Sequence, residues 1–183
     1  MLKQSFPSNT EDSHVIVKVS VLNQLYGTNL YAIHRMASHI VETFKATMPP
    51  LKPELVEQIA SLSTGRRHMS FASKYCNFFV DKEMFPILDR HALDGLRRHL
   101  GKGGFKSRGE TPTYAEYCDD LRKLCVESNL HCSTKELDRY LWLTGQWDKY
   151  SKGKEDINSE VRQLFLQKDD PSVGSLIRAA FSS

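Results

Sequence analysis

Apolar residues recur along this chain every three to four positions, with no sustained two-residue alternation, so the pattern predicts one helix after another. The run 15–26 opens with β-branched residues, Val15-Ile16-Val17-Lys18-Val19, which favour strands. Val21, Leu22 and Leu25 then continue at helical spacing and no partner strand follows, so the run is read as a helix closed by Gly27. Thr28 is expected to cap the next helix, which turns Leu30, Ile33, Met36, Ala37, Ile40 and Val41 inward. Met48-Pro49-Pro50-Leu51-Lys52-Pro53 reads as a rigid connector, with Pro53 suited to the first turn of a helix through Leu55, Ile59 and Leu62. Ser63-Thr64-Gly65 closes that helix, Arg66-Arg67-His68-Met69 fills a hairpin, and the spacing predicts a helix over 71–80.

A further helix follows Asp89 and ends near Gly101, before a basic loop over 102–109. Thr113 is placed to cap a helix through Tyr114, Tyr117, Leu121, Leu124 and Val126, and Ser133-Thr134-Lys135-Glu136 has the form of a capping box. Two short helices, 160–165 and 172–181, flank Asp169-Asp170-Pro171. The sum is an all-α bundle of about eight to ten helices, expected to form two lobes with a cleft. The chain is taken as a single domain, with lobes at roughly 28–110 and at 1–27 plus 111–183.

A chain of 183 residues with 40% hydrophobic positions is long enough to bury a core without disulfide or metal staples. No apolar run approaches the roughly 20 residues that span a bilayer, and Met1-Leu2-Lys3-Gln4-Ser5 lacks a signal-peptide stretch, so a cytoplasmic location without membrane contact is expected. Cys118, Cys125 and Cys132 lie seven apart with Cys76 far upstream, a spacing that suits packed thiols on a helix face rather than a metal cluster. No metal, cofactor or disulfide is expected. His34 and His39, five apart, do not share a face for a metal pair.

The net charge of +3 does not by itself point to nucleic acid. Its distribution changes the picture: Arg66-Arg67-His68, Arg90-His91, Arg97-Arg98-His99 and the 102–108 stretch crowd positive charge around one segment. That segment is Met84-Phe85-Pro86-Ile87-Leu88-Asp89-Arg90-His91-Ala92-Leu93, where one acid directly follows an apolar run. Asp89 there is either a helix N-cap or a half-buried carboxylate doing chemistry beside a cleft.

Ser70-Phe71-Ala72-Ser73-Lys74-Tyr75-Cys76-Asn77-Phe78-Phe79 followed by Phe85-Pro86-Ile87-Leu88-Asp89 resembles the active-site region of the helix-hairpin-helix DNA glycosylases. In that family a hairpin leads into a helix with a small residue near its start, and an extended (F/V)PI(L)D element then delivers the catalytic aspartate. Phe-Pro-Ile-Leu-Asp is similar to the adenine-specific mismatch branch, and Ile-Leu-Asp-Arg-His to the archaeal-type 8-oxoguanine branch. Leu25-Tyr26-Gly27-Thr28-Asn29-Leu30 resembles the Leu-x-x-Thr-Gln-Val segment that helps line the base pocket.

The resemblance implies base excision from double-stranded DNA with a flipped base, by a monomer that uses Asp89 as the catalytic carboxylate. It places Tyr26, Thr28, Asn29 and Trp142 at the base pocket, and Arg66, Arg67, His68, Lys74, Arg90 and His91 on the DNA. Tyr140, Trp142 and Trp147 either stack on a flipped base or fill the intercalation gap, with core packing the other role for Tyr140 and Trp142, and His91 either meets the sugar-phosphate or lies on the surface. Ser70 falls at the position of the family's lysine nucleophile, which implies a monofunctional enzyme; Lys74, one helical turn on, is either a displaced nucleophile or a phosphate contact.

Two departures stand out. The family's Gly-x-Gly hairpin is reduced to Gly65, and Leu22 occupies the place of the adenine branch's catalytic glutamate. With a compact chain, this points to a damaged or bulky modified base as substrate, including hypermodified bases of phage DNA and hence a defence role beside DNA repair. A non-catalytic helical DNA-binding protein and a helical protein-interaction module remain the alternatives.

Overall fold

Nine helices and no strand make up the regular structure among residues 2–46, 52–62, 65, 67–104 and 112–166, the part of the chain that the computed structural model describes. The fold class is all-α. Helices α1 (Leu2–Ser5), α2 (Asp12–Tyr26), α3 (Ile33–Ala46), α4 (Glu54–Ala60) and α5 (Met69–Phe79) form the first half. The second half holds α6 (Arg90–Gly104), α7 (Tyr114–Glu127), α8 (Thr134–Ser151) and α9 (Ser159–Leu166). Arg66, most of the expected 48–53 connector and 102–109 loop, and the expected helix 172–181 lie outside the described residues. None of the described helices is long and apolar enough to cross a membrane.

The β-branched start of α2 is helical because burial overrides local preference: Val15, Val19 and Leu22, at i, i+4 and i+7, all face the core formed with α3 and α5. Gly27 ends the helix in the left-handed region at φ 52°, where a side chain would be strained. Thr28 does not cap α3. That helix begins only at Ile33, and the Thr28 hydroxyl instead donates to Asn23 Oδ1 (2.7 Å), which also accepts the Leu30 N–H (2.9 Å). The side chain of Asn23 thus organises the link between α2 and α3.

α2 also buries a lysine. Lys18 Nζ donates to Ser8 O and Asn9 Oδ1, each at 2.8 Å, and Asn9 Oδ1 accepts the Tyr75 hydroxyl at 2.8 Å. The ammonium lies 5.4 Å from the centre of the Phe79 ring. Burial, with Lys3 nearby, brings its pKa down to about 8. This hub ties the chain ahead of α2 to α5.

Other boundaries differ from the apolar pattern. α4 ends at Ala60, leaving Leu62 buried but outside the helix, and α6 continues to Gly104 rather than stopping near Gly101. Leu25 and Val126, which continue the apolar spacing at helix ends, are 72% and 80% exposed and contribute nothing to the core. Thr113 caps α7 and Ser133 with Glu136 forms the expected capping box at α8, while at α7 Thr113 closes a second box with Glu116.

α2 packs with α3 and α5, and α4 with α5, while α6 packs with α7 and α8, and α8 with α9; α4 meets α7 between the groups. α2 therefore sits with the first half of the chain, not with residues 111–183 as the expected lobe division had it. α6 and α8 pack with their backbones in contact. A Cβ on Gly95 would stand 2.6 Å from Leu141 O, and one on Gly145 would stand 2.5 Å from His91 O, so each helix presents bare backbone to the other.

Candidate functional site

Residues 86–89, between α5 and α6, belong to no regular element, so their backbone groups need partners from elsewhere. Side chains of three helices supply them. Asn77 of α5 donates to Phe85 O (2.8 Å), while the hydroxyls of Tyr114 and Tyr117 on α7 donate to Pro86 O (2.7 Å) and Ile87 O (2.8 Å). The Ile87 N–H donates to Asp138 Oδ2 on α8 (3.0 Å), and the Leu88 N–H to Ser73 Oγ on α5 (3.0 Å). Pro86 has no N–H to satisfy. Burial raises the pKa of both tyrosines, which keeps their hydroxyls protonated as donors. The carbonyls of residues 85–88 and the amides of Ile87 and Leu88 are thereby all satisfied, in a segment that ends at Asp89.

The two oxygens of Asp89 do different work. Oδ1 accepts the Ala92 N–H at 2.9 Å, capping α6 at its third residue. Oδ2 lies 3.4 Å from Lys74 Nζ, which also donates to Ser70 Oγ at 2.9 Å. The two charged side chains are only 8% and 15% exposed, so the pair is largely shielded from water. Burial lowers the Lys74 pKa, and the nearby carboxylates of Asp89 and Asp138 work against that fall.

Asp138 is the site residue that sequence reasoning missed. Burial pushes its carboxyl up to about 7; the Ile87 N–H pulls the other way, the charge of Asp89 adds to the rise and Lys74 offsets it. Its Oδ1 is buried without a hydrogen-bond partner. A signal was available: Asp138 lies at helical spacing from Leu141, Trp142 and Gly145, so an acid stands on a face of α8 otherwise made of packing residues. Tyr114, Tyr117, Asn77 and Ser73 gave weaker signals, because only their polar atoms, not their positions, mark them as anything but core.

Lys74, Asp89 and Asp138 share the wall of a cavity of about 640 Å³ with Tyr26, Phe78 and Trp142. The Tyr26 and Phe78 rings stack at 5.3 Å between centroids, and Lys74 Nζ lies 5.9 Å from the centre of the Tyr26 ring. Asp89 also lines a second hollow of about 380 Å³, together with Arg67, Ser70, Arg90 and Arg97. The carboxylate therefore stands between an aromatic cavity and a basic one.

Of the residues expected at the base pocket, Tyr26 and Trp142 line the larger cavity beside Asp89, whereas Thr28 and Asn29 do not. Thr28 is occupied by Asn23, and Asn29 takes a left-handed turn conformation at φ 53°. Arg67, Ser70 and Arg90 meet Asp89 at the smaller hollow, and Arg67 pairs with Glu57. His68 is half-buried ahead of α5, its N–H bonded to Ala60 O (3.0 Å). Arg66 is outside the described residues.

His91 turns toward α8. Gln146 Oε1 accepts the Asn158 N–H (3.1 Å), which leaves its amide nitrogen as donor to His91 Nε2 (3.2 Å) and so requires an unprotonated Nε2. Burial lowers the His91 pKa accordingly. Tyr140 bonds His99 (3.0 Å), and Trp147 packs edge-on against Phe165 of α9 at 5.0 Å, so neither faces the cavity. All four cysteines are thiols, Cys76 and Cys118 in the core.

Comparison with known proteins finds two likenesses. A family described as HI_0787_N, N-terminal domain, matches residues 1–83, which covers α1 to α5 and stops just short of Phe85. A Haemophilus influenzae protein described as uncharacterized is 27% identical over 139 residues, 72% of this chain and 66% of its own. The chain thus spans just under two thirds of that relative's length. No solved structure matches the chain.

Proposed function

We propose that this chain is a DNA glycosylase of the helix-hairpin-helix type, which removes a bulky modified base from duplex DNA by Asp89-assisted hydrolysis and leaves an abasic site. The observation that carries the reading is the clamped 85–89 segment, which sets a shielded carboxylate on the wall of an aromatic cavity. A flipped base costs a few kcal/mol of lost stacking, and Tyr26, Phe78 and Trp142 offer replacement faces. As the glycosidic bond breaks, the sugar becomes cationic, and Asp89 stabilises that charge and orients the attacking water. The cavity volume of about 640 Å³ favours a base with a substituent, which includes hypermodified bases of phage DNA and a defence role. The two helix groups would close on the duplex with Asp89 at their junction.

The test uses the protein and Asp89→Asn on genomic DNA from modified and unmodified sources, with released bases scored by mass spectrometry and abasic sites by alkaline cleavage. Asparagine keeps the helix cap, so base release present in the wild type and lost in the variant is expected. No release by either protein from damaged or hypermodified DNA would overturn the glycosylase reading and favour a binding role.

One observation favours a second reading, in which the enzyme also cleaves the strand. The Lys74 amine lies on the cavity wall beside Asp89, and its lowered pKa favours the neutral nucleophile. Attack of Nζ on the sugar C1′ would form a carbon–nitrogen bond as the base leaves with the glycosidic electron pair and takes a proton from water; the Nζ lone pair then opens the C1′–O4′ bond, O4′ takes a proton, and the resulting protonated imine loses a C2′ proton to expel the 3′-phosphate. Asp89 would receive the proton that Nζ loses. Borohydride added during turnover would then trap a protein–DNA adduct that Lys74→Met lacks; turnover without an adduct leaves the hydrolytic route.

A further inference from the structure

We infer that a phosphodiester track runs from the basic hollow at Asp89 along the outer face of α6 to the end of α8, and that it holds the backbone of duplex DNA beyond the flipped nucleotide. The inference rests on the proposed glycosylase reading for its occupant, and on charge and continuity for its location. A groove of about 690 Å³ is lined by Arg90, Arg97 and Arg98 of α6 and by Lys149, Lys152 and Lys154 at the end of α8. Arg90, Asp94 and Arg97 line both this groove and the smaller Asp89 hollow, so the two are continuous.

Its carboxylates act as hinges for the cations. Asp94 is shared by Arg97 (3.4 Å) and Arg90 (4.0 Å), and Asp148 by Lys152 (2.6 Å) and Arg98 (4.0 Å). Asp156 holds Lys149. Six cations against three carboxylates leave the groove at +3. The Asp94 and Asp148 pairs are largely exposed and therefore weak, so their cations turn to a phosphate at little cost.

The dimensions fit a nucleic-acid backbone. Positions 90, 94, 97 and 98 fall on one face of α6, and Arg90 to Arg98 spans about 12 Å of helix axis, the rise of three to four base pairs. Every residue lining the groove is charged and none is aromatic, which suits the phosphates of a duplex and offers nothing for a single strand's bases to stack on. None of the α8 members was singled out by the sequence, because basic residues at a helix end also read as ordinary C-terminal charge compensation.

The experiment measures binding of an unmodified duplex by fluorescence anisotropy between 50 and 200 mM salt, for the wild type, for Arg98→Gln/Lys152→Gln/Lys154→Gln, and for Lys123→Gln on α7 as a control outside the track. All three track side chains are exposed, and circular dichroism checks that the variant is folded. With about 0.9 of salt slope per phosphate contact, the triple variant loses about 2 to 3 from the slope, and its affinity loss across this salt range is about 40-fold smaller than the wild type's. Lys123→Gln leaves the slope unchanged. An unaltered slope in the triple variant, a wild type that does not bind the duplex, or tighter binding to a single strand or to duplex RNA would each overturn the inference. Because no modified base is present, failure here is separate from failure to excise one.

Discussion

Asp89 combines two roles that are usually weighed as alternatives, because a carboxylate has two oxygens and the fold gives each a different neighbour. Oδ1 is committed to the Ala92 N–H and Oδ2 to Lys74. Asp89→Asn keeps an oxygen for the cap, whereas Asp89→Ala removes the cap as well as the charge. The alanine variant is therefore expected to be less stable than the asparagine variant by about 1 kcal/mol, or about 2–4 °C in melting temperature for a chain of this size. Equal melting temperatures in a thermal scan would mean that the cap contributes nothing. At this scale the sequence was half legible. The apolar run before Asp89 and the amphipathic run after it mark a helix start, but the approach of Lys74 and Asp138 depends on how α5 and α8 pack, and neighbouring residues carry no trace of that packing.

The elements hold the site by two contrasting devices: side chains that satisfy an irregular backbone, and glycines that let regular backbones touch. The second device is tested by Gly145→Ala. The added methyl would meet His91 O at 2.5 Å, a backbone atom within α6 that cannot turn aside as a side chain can. Overpacking of this kind costs about 1–3 kcal/mol. Since α8 carries Asp138 and Trp142 while α6 begins at the Asp89 cap, the same change is expected to weaken any activity at the cavity; denaturant unfolding and the base-release assay read the two effects separately. Helix existence was legible here from apolar period, and the starts of α7 and α8 from Ser/Thr followed three residues on by Glu, since both signals act within one or two turns. The failures share a cause. Thr28 has a capping residue's chemistry but is claimed by Asn23, Leu25 and Val126 keep the period past the point where the core ends, and Gly145 gives no local sign that another helix lies against it.

For the whole molecule, the buried ionisable groups make stability depend on pH in two opposed windows. Asp138 holds its proton more tightly in the fold, at about 7 against an ordinary 3.8, so its contribution is complete below about pH 4 and is lost as pH rises through 7. Lys18 behaves in the other direction: at about 8 against 10.5 it binds its proton less tightly when folded, so stability from this group rises with pH between those values. Lys74, lowered by burial, adds to that rise. Urea unfolding at fixed pH steps is therefore expected to show the difference between Asp138→Asn and the wild type shifting in the variant's favour from pH 4 to 7. The difference between Lys18→Met and the wild type shifts in the wild type's favour from pH 8 to 10.5. Parallel curves for Asp138→Asn would mean that its carboxyl ionises as it does in water, and the unpartnered Oδ1 would then have to be reached by solvent. Parallel curves for Lys18→Met would place its ammonium at the surface. The groups act in separate halves of the chain, Lys18 on α2 and Asp138 on α8 beside the 85–89 segment, so their effects should add in the double variant. A double variant whose curve departs from that sum would show that the N-terminal hub and the Asp89 site titrate as one unit, coupled through α5, the helix that carries both Tyr75 and Lys74.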